Sequence, residues 1–234
     1  MTGLETQGLE QHVLSVRQRI AGACHRAGRE PTSVTLVAVS KTVGREEIDL
    51  AYNAGIRDFG ENRIQPATQK FAEPMPLNCK LHMIGHLQSN KTGTAVQLFD
   101  MIHSVDRVSL IEQLQRQAAM REKTLNVLLQ VNIARETQKT GCDRNDAYRL
   151  ALQVAQASEL NLLGLMTMAP LVGEPESVRP VFRELTRLRD TLSANPAIGA
   201  LPVLSMGMTN DFETAIEEGA THVRIGRAIF ESHR

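Results

Sequence analysis

Two hydrophobic periodicities alternate along this chain. Leu9, Val13, Val16 and Ile20 recur at helical spacing on one face, which predicts a helix from about Gly8 to Ala27, stopped by Gly28. The pattern then changes. Val34, Leu36, Val37, Ala38 and Val39 form a nearly unbroken apolar run, as in strands buried on both faces of a parallel sheet. Similar short runs predict strands at 34–40, 57–60, 81–85, 101–105, 126–132, 162–168, 201–206 and 222–226. Between them, 45–55, 107–120, 145–158 and 176–194 show apolar residues three or four apart, the spacing of amphipathic helices.

Strands alternating with helices in this way predict an α/β fold, a single-domain (β/α)8 TIM barrel with an extra N-terminal helix. The rival is an open doubly wound sheet, but no G-x-G-x-x-G follows the first strand. No Pro/Gly/Ser-rich linker interrupts the chain, so residues 1–234 are read as one domain. Segments 171–175 and 195–202 read as loops.

Charge and composition narrow the function classes. Lys plus Arg number 26 and Asp plus Glu number 26, so no basic tail or patch points to nucleic acid or an anionic membrane. No apolar stretch is long enough to span a bilayer, and the N-terminus lacks the apolar core of a signal peptide, so a cytoplasmic protein is expected. Cys24, Cys79 and Cys142 are scattered, which argues against a disulfide framework and a thiolate zinc site. His82 and His86 are four apart, but in a strand-like context with Gly85 between them, so no metal site is expected. No long apolar stripe demands a partner, and a monomer is expected.

The barrel reading says where chemistry should gather, because such barrels work at the C-terminal ends of their strands. Lys41 ends the first strand, Gly60-Glu61-Asn62 follow the second, Ser205 to Asn210 follow the seventh, and Gly226-Arg227 follow the eighth. Closure would bring the eighth strand beside the first. A lysine at the exit of a buried strand is either a solvated cap or a desolvated amine suited to covalent work. The turn SMGMTND reads either as a phosphate cradle, with hydroxyls on Ser205 and Thr209 and a close approach at Gly207, or as a plain helix cap. The glycine turn in VRIGRAIF, beside it, favours phosphate. Arg224 faces either the barrel interior or an ordinary ion pair. His82 reads as an interior histidine with its nitrogens satisfied. Lys91 and Lys139 stand in polar loops, at the rim or in solvent.

The pieces AVSKT, FGENR, HMIGHLQSNK, HSVDR, KTG, GLMTM, SMGMTND and VRIGRAIF, in this order, resemble the YggS/PROSC family of pyridoxal phosphate homeostasis proteins. The resemblance implies a barrel like the N-terminal domain of alanine racemase (fold type III) and a pyridoxal 5′-phosphate held as a Schiff base on Lys41. It implies that Ser205, Gly207 and Met208 hold the phosphate with Gly226 and the backbone of Arg227. It further implies that Arg224 faces the pyridine nitrogen, and that Asn62 and His82 flank the ring. Many members have Ser where this chain has Thr209, Thr where it has Arg227, and Gly where it has Glu231. The first two departures keep the hydroxyl and the backbone N–H.

An arginine opposite the ring nitrogen has no acceptor to offer, so that nitrogen would stay unprotonated and the electron sink shallow. Alanine racemases, which the resemblance brings to mind, use a second base, a tyrosine from a second domain. Here Tyr52 and Tyr148 fall inside predicted helices. The expected function is therefore a carrier that buffers or delivers pyridoxal phosphate, with transient contact to apo-enzymes. A racemase-like enzyme and a Schiff-base aldolase or phosphate-binding barrel enzyme without this cofactor remain the alternatives.

Overall fold

The computed structural model describes residues 3–134, 140–170 and 174–230. Within them the eight predicted strands all form. They are β1 (Thr35–Val39), β2 (Asp58–Glu61), β3 (Lys80–Met83), β4 (Met101–Val105), β5 (Leu125–Gln130), β6 (Leu160–Met166), β7 (Val203–Ser205) and β8 (His222–Ile225). All are parallel and close into a barrel in chain order, with Val37 of β1 in register with Arg224 of β8. The helices are α1 (Gly3–Arg26), α2 (Arg45–Asn53), α3 (Ile64–Lys70), α4 (Thr92–Leu98), α5 (Val108–Ala119), α6 (Arg144–Ala155), α7 (Arg179–Ser193), α8 (Phe212–Glu217) and α9 (Arg227–Phe230). Among the described residues no helix is long and apolar enough to cross a membrane.

α1 begins at Gly3, earlier than its apolar stripe announces, because a helix once nucleated propagates at little cost beyond the residues that anchor it. It ends at Arg26, and Gly28 takes the left-handed φ of +64° that stops it. Its stripe is buried, and Arg19 and Arg26 tie it to Glu213 and Glu217 of α8. β7 is shorter than expected. It starts after Pro202, which has no N–H to give a ladder.

Strand alternation sorts the core into two parts. Phe59, Leu81, Ile102, Leu129, Leu165, Leu204, Val223 and Ile225 belong to one continuous apolar cluster with the helices. The strand residues that alternate with them point into the barrel. There the apolar content is small: Val37 and Val39 of β1 and a cluster of Met101, Leu128, Met166 and Val203. A bulge in β4 spends Ile102 to Val105 against Val127 to Leu129 of β5, so Ile102 and Val105 both stay in the outer cluster. Ser104 lies in that bulge, its hydroxyl buried and without a partner.

Candidate functional site

The end of β1 is clamped by side chains. Ser40 is fully buried and uses all its polar groups. Its N–H donates to the Gly60 carbonyl at 3.0 Å, and its hydroxyl donates to Glu61 Oε1 at 2.7 Å. Its carbonyl accepts from Lys70 Nζ at 2.6 Å, and the same ammonium donates to Glu61 Oε1 at 2.8 Å. Lys41 then leaves the barrel at a fixed point, and its side chain is exposed. Of the two readings of this lysine the structure gives the solvated one: β1 stops at Val39, and the chain has turned toward solvent by Lys41.

Beside it lie the two glycine turns. A Cβ on Gly226 would stand 3.1 Å from the Val39 carbonyl, so the end of β8 abuts the end of β1. The turns also touch each other: Arg224 N–H donates to the Gly207 carbonyl at 3.0 Å, and Arg227 Nη2 donates to Asn210 Oδ1 at 3.3 Å. Gly207 has φ +91°, and a Cβ there would come within 2.7 Å of the Ala215 Cβ, so this turn requires glycine. The amides of Gly207, Gly226 and Arg227 donate to no backbone carbonyl among the described residues. Met208 N–H is engaged: it donates to Asp211 Oδ1 at 2.6 Å. Asp211 is the residue preceding α8, and instead of capping the helix with its side chain it ties the turn together. Burial pushes its carboxyl above the usual range, with the Met208 N–H acting against that.

Below the mouth, Arg224 is buried at 4 % exposure. Nη1 donates to Ser205 Oγ at 2.7 Å and Nη2 to the Thr167 carbonyl at 2.9 Å. Among the described residues no carboxylate touches it. Burial brings its pKa down to about 10, with Asp211 opposing, so the guanidinium keeps its charge at neutral pH. Ser205 Oγ lies 2.9 Å from His103 Nδ1, His103 Nε2 lies 2.9 Å from His82 Nδ1, and His82 Nε2 lies 2.9 Å from Asp58 Oδ1. This polar chain crosses the barrel interior from β8 through β7, β4 and β3 to β2. Burial and the positive charges nearby hold His103 well below its usual pKa, and burial chiefly pushes the adjoining His222 down to about 4.

The structure thus brings Lys41, Gly207, Gly226 and Arg227 to one mouth, with Ser205 and Arg224 beneath them and Met208 half-buried in the same turn. The Ser205 hydroxyl faces the interior instead of the mouth. His82, expected beside a ligand ring, has both ring nitrogens occupied by His103 and Asp58. Asn62 stands at the rim after β2, half-buried, where it lines a cavity of about 580 Å³ with Arg63, Met83, His86 and Lys91. Lys139, residues 171–173 and the ESHR tail with Glu231 lie outside the described residues. The residues that sequence reasoning missed are Asp58, His103 and Lys70, and Glu61, named after the second strand, was given no role. For the first two the available signal was parity: Asp58, His82, His103 and Arg224 are polar at inward-facing steps of otherwise apolar strands. Glu61 and Lys70 give no such signal.

Residues 15–233 match the family model for the alanine racemase N-terminal domain. A pyridoxal phosphate homeostasis protein of Aquifex aeolicus is 42 % identical over 215 residues, covering 92 % of this chain and 94 % of that protein. The crystal structure of an unknown protein from Bifidobacterium adolescentis superposes with a TM-score of 0.92 at 39 % identity, covering 98 % of this chain and 97 % of the other. The PipY protein of Synechococcus elongatus PCC7942, solved with pyridoxal phosphate bound, gives a TM-score of 0.83 at 35 % identity and covers 95 % of this chain and 99 % of its own.

Proposed function

Because this chain belongs to the pyridoxal phosphate homeostasis proteins, built on the alanine racemase N-terminal domain, we propose that it binds pyridoxal 5′-phosphate at the β1–β7–β8 mouth and acts as its carrier. The observation that carries the reading is the meeting of a lysine at one strand end with two touching turns in which the Gly207, Gly226 and Arg227 amides donate to no backbone carbonyl among the described residues. When bound, the cofactor supplies an aldehyde that a lysine amine captures reversibly.

Each residue has a role in this reading. Lys41 captures the aldehyde. The amides of Gly207, Gly226 and Arg227, without a backbone acceptor among the described residues, suit a dianionic phosphate, since successive backbone N–H groups form an anion-binding concavity. The Ser205 hydroxyl is committed to His103 and Arg224, so Ser205 and Met208 shape the turn more than they touch the phosphate. Arg224 lies under the mouth as a permanent donor for the ring nitrogen. Asn62 flanks the ring from the rim, and His82 acts from behind, through His103.

Holding without turnover follows from the same donors. A donor that cannot give up its proton leaves the ring nitrogen unprotonated and weakens carbanion chemistry. Neither tyrosine supplies a second base at the mouth. Tyr52 bonds Asn78 at 3.2 Å with Arg57 stacked on its ring, and Tyr148 bonds Asn195 at 2.6 Å on the outer surface. Transient contact with apo-enzymes would then be the route of delivery.

The test is the absorption spectrum of the protein titrated with pyridoxal phosphate, followed by transfer to an apo-enzyme. Lys41→Ala should abolish the visible band, and since Lys41 is exposed its stability should change by no more than about 0.5 kcal/mol. No band in the unaltered protein would defeat the reading. Rapid racemisation of a free amino acid, lost in Lys41→Ala, would replace the carrier with an enzyme.

A further inference from the structure

The polar chain in the barrel interior has a direction, and hydrogen-bond chemistry fixes it. Asp58 Oδ1 is an acceptor, so His82 Nε2 carries a hydrogen and donates to it. A neutral His82 then has a bare Nδ1, which accepts, so the hydrogen shared with His103 sits on His103 Nε2. A neutral His103 in turn has a bare Nδ1, which accepts the Ser205 hydroxyl hydrogen. That leaves the Ser205 oxygen lone pairs facing Arg224, which donates and never accepts. Every link donates away from Arg224 and toward Asp58.

The opposite polarity is poorer. It needs a cationic His82 donating to both Asp58 and His103. His103 would then donate from Nδ1 to Ser205, whose oxygen would face two donors while its own hydrogen lost its acceptor. A buried hydroxyl without an acceptor is costly. The charged groups that face the chain are Asp58 on β2, Lys80 on β3, Arg224 on β8 and Asp211 before α8, with His222 on β8 beside both histidines.

We propose that His103, oriented by His82 and Asp58, is a positioning residue for Arg224: it holds the Ser205 hydroxyl turned so that its oxygen receives the guanidinium. The proposal rests on the reading that Arg224 meets the cofactor nitrogen. It adds that the arginine's placement is set from the far side of the barrel. Ser205 is then a coupling element between the histidine pair and the arginine.

The first test needs no cofactor. Imidazole 15N spectra of the apo-protein near neutral pH, with His82 and His103 assigned by substitution, should show both rings as the Nε2–H tautomer. His103 as the Nδ1–H tautomer would overturn the proposal. The second test uses pyridoxal phosphate. His103→Phe keeps a ring but no nitrogen, and should weaken binding about tenfold and move the absorption maximum of the bound cofactor. His103→Gln offers one donor and one acceptor, and should restore binding to within about threefold. A fall in melting temperature with unmoved maximum and affinity in His103→Phe, or equal losses in both variants, would overturn it. Arg224→Leu separates the two levels. If it leaves maximum and affinity unchanged, the place given to Arg224 is wrong. If it changes them while His103→Phe does not, only the positioning claim fails.

Discussion

Ile102 and His103 are neighbours in β4, yet they stand in two different surroundings. Ile102 points outward into an apolar layer that runs continuously under all the long helices. His103 points inward to a chain in which each ring nitrogen has one partner and each link one direction. The outer layer is held by area removed from water, which is non-directional and forgiving of shape. The interior is held by matched donors and acceptors, where a change at one link is felt at the next. Stability resides mostly in the first region, and the placement of Arg224 depends on the second.

That division can be broken by experiment. The largest effect should come from Phe182→Ala in α7, a fully buried ring of the outer layer. Chemical denaturation should show a loss of about 3–5 kcal/mol, while the folded fraction keeps its cofactor affinity. An affinity loss in step with stability would mean the regions are not separable.

Acid should act mainly inside. Burial holds His222 at about 4 against about 6.5 in an unfolded chain. Between those values the unfolded chain binds the extra proton, so stability is complete above about pH 6.5 and is lost as pH falls toward about 4. His222 alone accounts for roughly 2–3 kcal/mol of that loss, and His103 works in the same direction. Asp211 works the other way, because its raised carboxyl costs stability at neutral pH and that cost disappears on acidification. Urea unfolding across this range should show the net fall, and His222→Phe should flatten it.

Ser205→Ala should cost about 1–3 kcal/mol, since it strands one donor of Arg224 and the bare nitrogen of His103. Unlike Phe182→Ala, it should weaken pyridoxal phosphate binding. The smallest effect sharpens the comparison from the other side. Ser104 carries a buried hydroxyl with no partner, so Ser104→Ala should be neutral or stabilising by up to about 1 kcal/mol. A marked loss would mean the β4 bulge depends on that hydroxyl.

The outer layer was legible in the sequence and the interior only in part, for a physical reason. Runs such as Val34 to Val39 announce strands because hydrophobic burial writes itself into composition. The strands came out in the right places, with β7 trimmed behind Pro202. Ser205 and the glycine turns were named because they sit at strand ends, where a barrel keeps its chemistry, and Arg224 was given its role only by the family resemblance. His103 was passed over because a single polar residue in an apolar strand does not name its partner. That partner, Ser205, is a hundred positions away in sequence and meets it only on closure. The exposure of Lys41 stayed open in the sequence because the apolar run shows where burial is possible and not where the strand stops. Ser40, Glu61 and Lys70 decide that point together, and nothing local connects them.

Two arginines show what the interior's design means for a protein in a changing ionic medium. Arg179 lies outside and is paired with Glu176, Glu217 and Glu218. Arg224 lies inside and leans on a hydroxyl and a carbonyl, neither of which carries a net charge. In molar salt, where the screening length shrinks to about 3 Å, mobile ions compete for the outer pairs. The inner arginine and Asp211, the carboxylate that acts on it without touching it, are both buried away from those ions. The grip on Arg224 should therefore be indifferent to ionic strength, while the surface seam between α7 and α8 loosens.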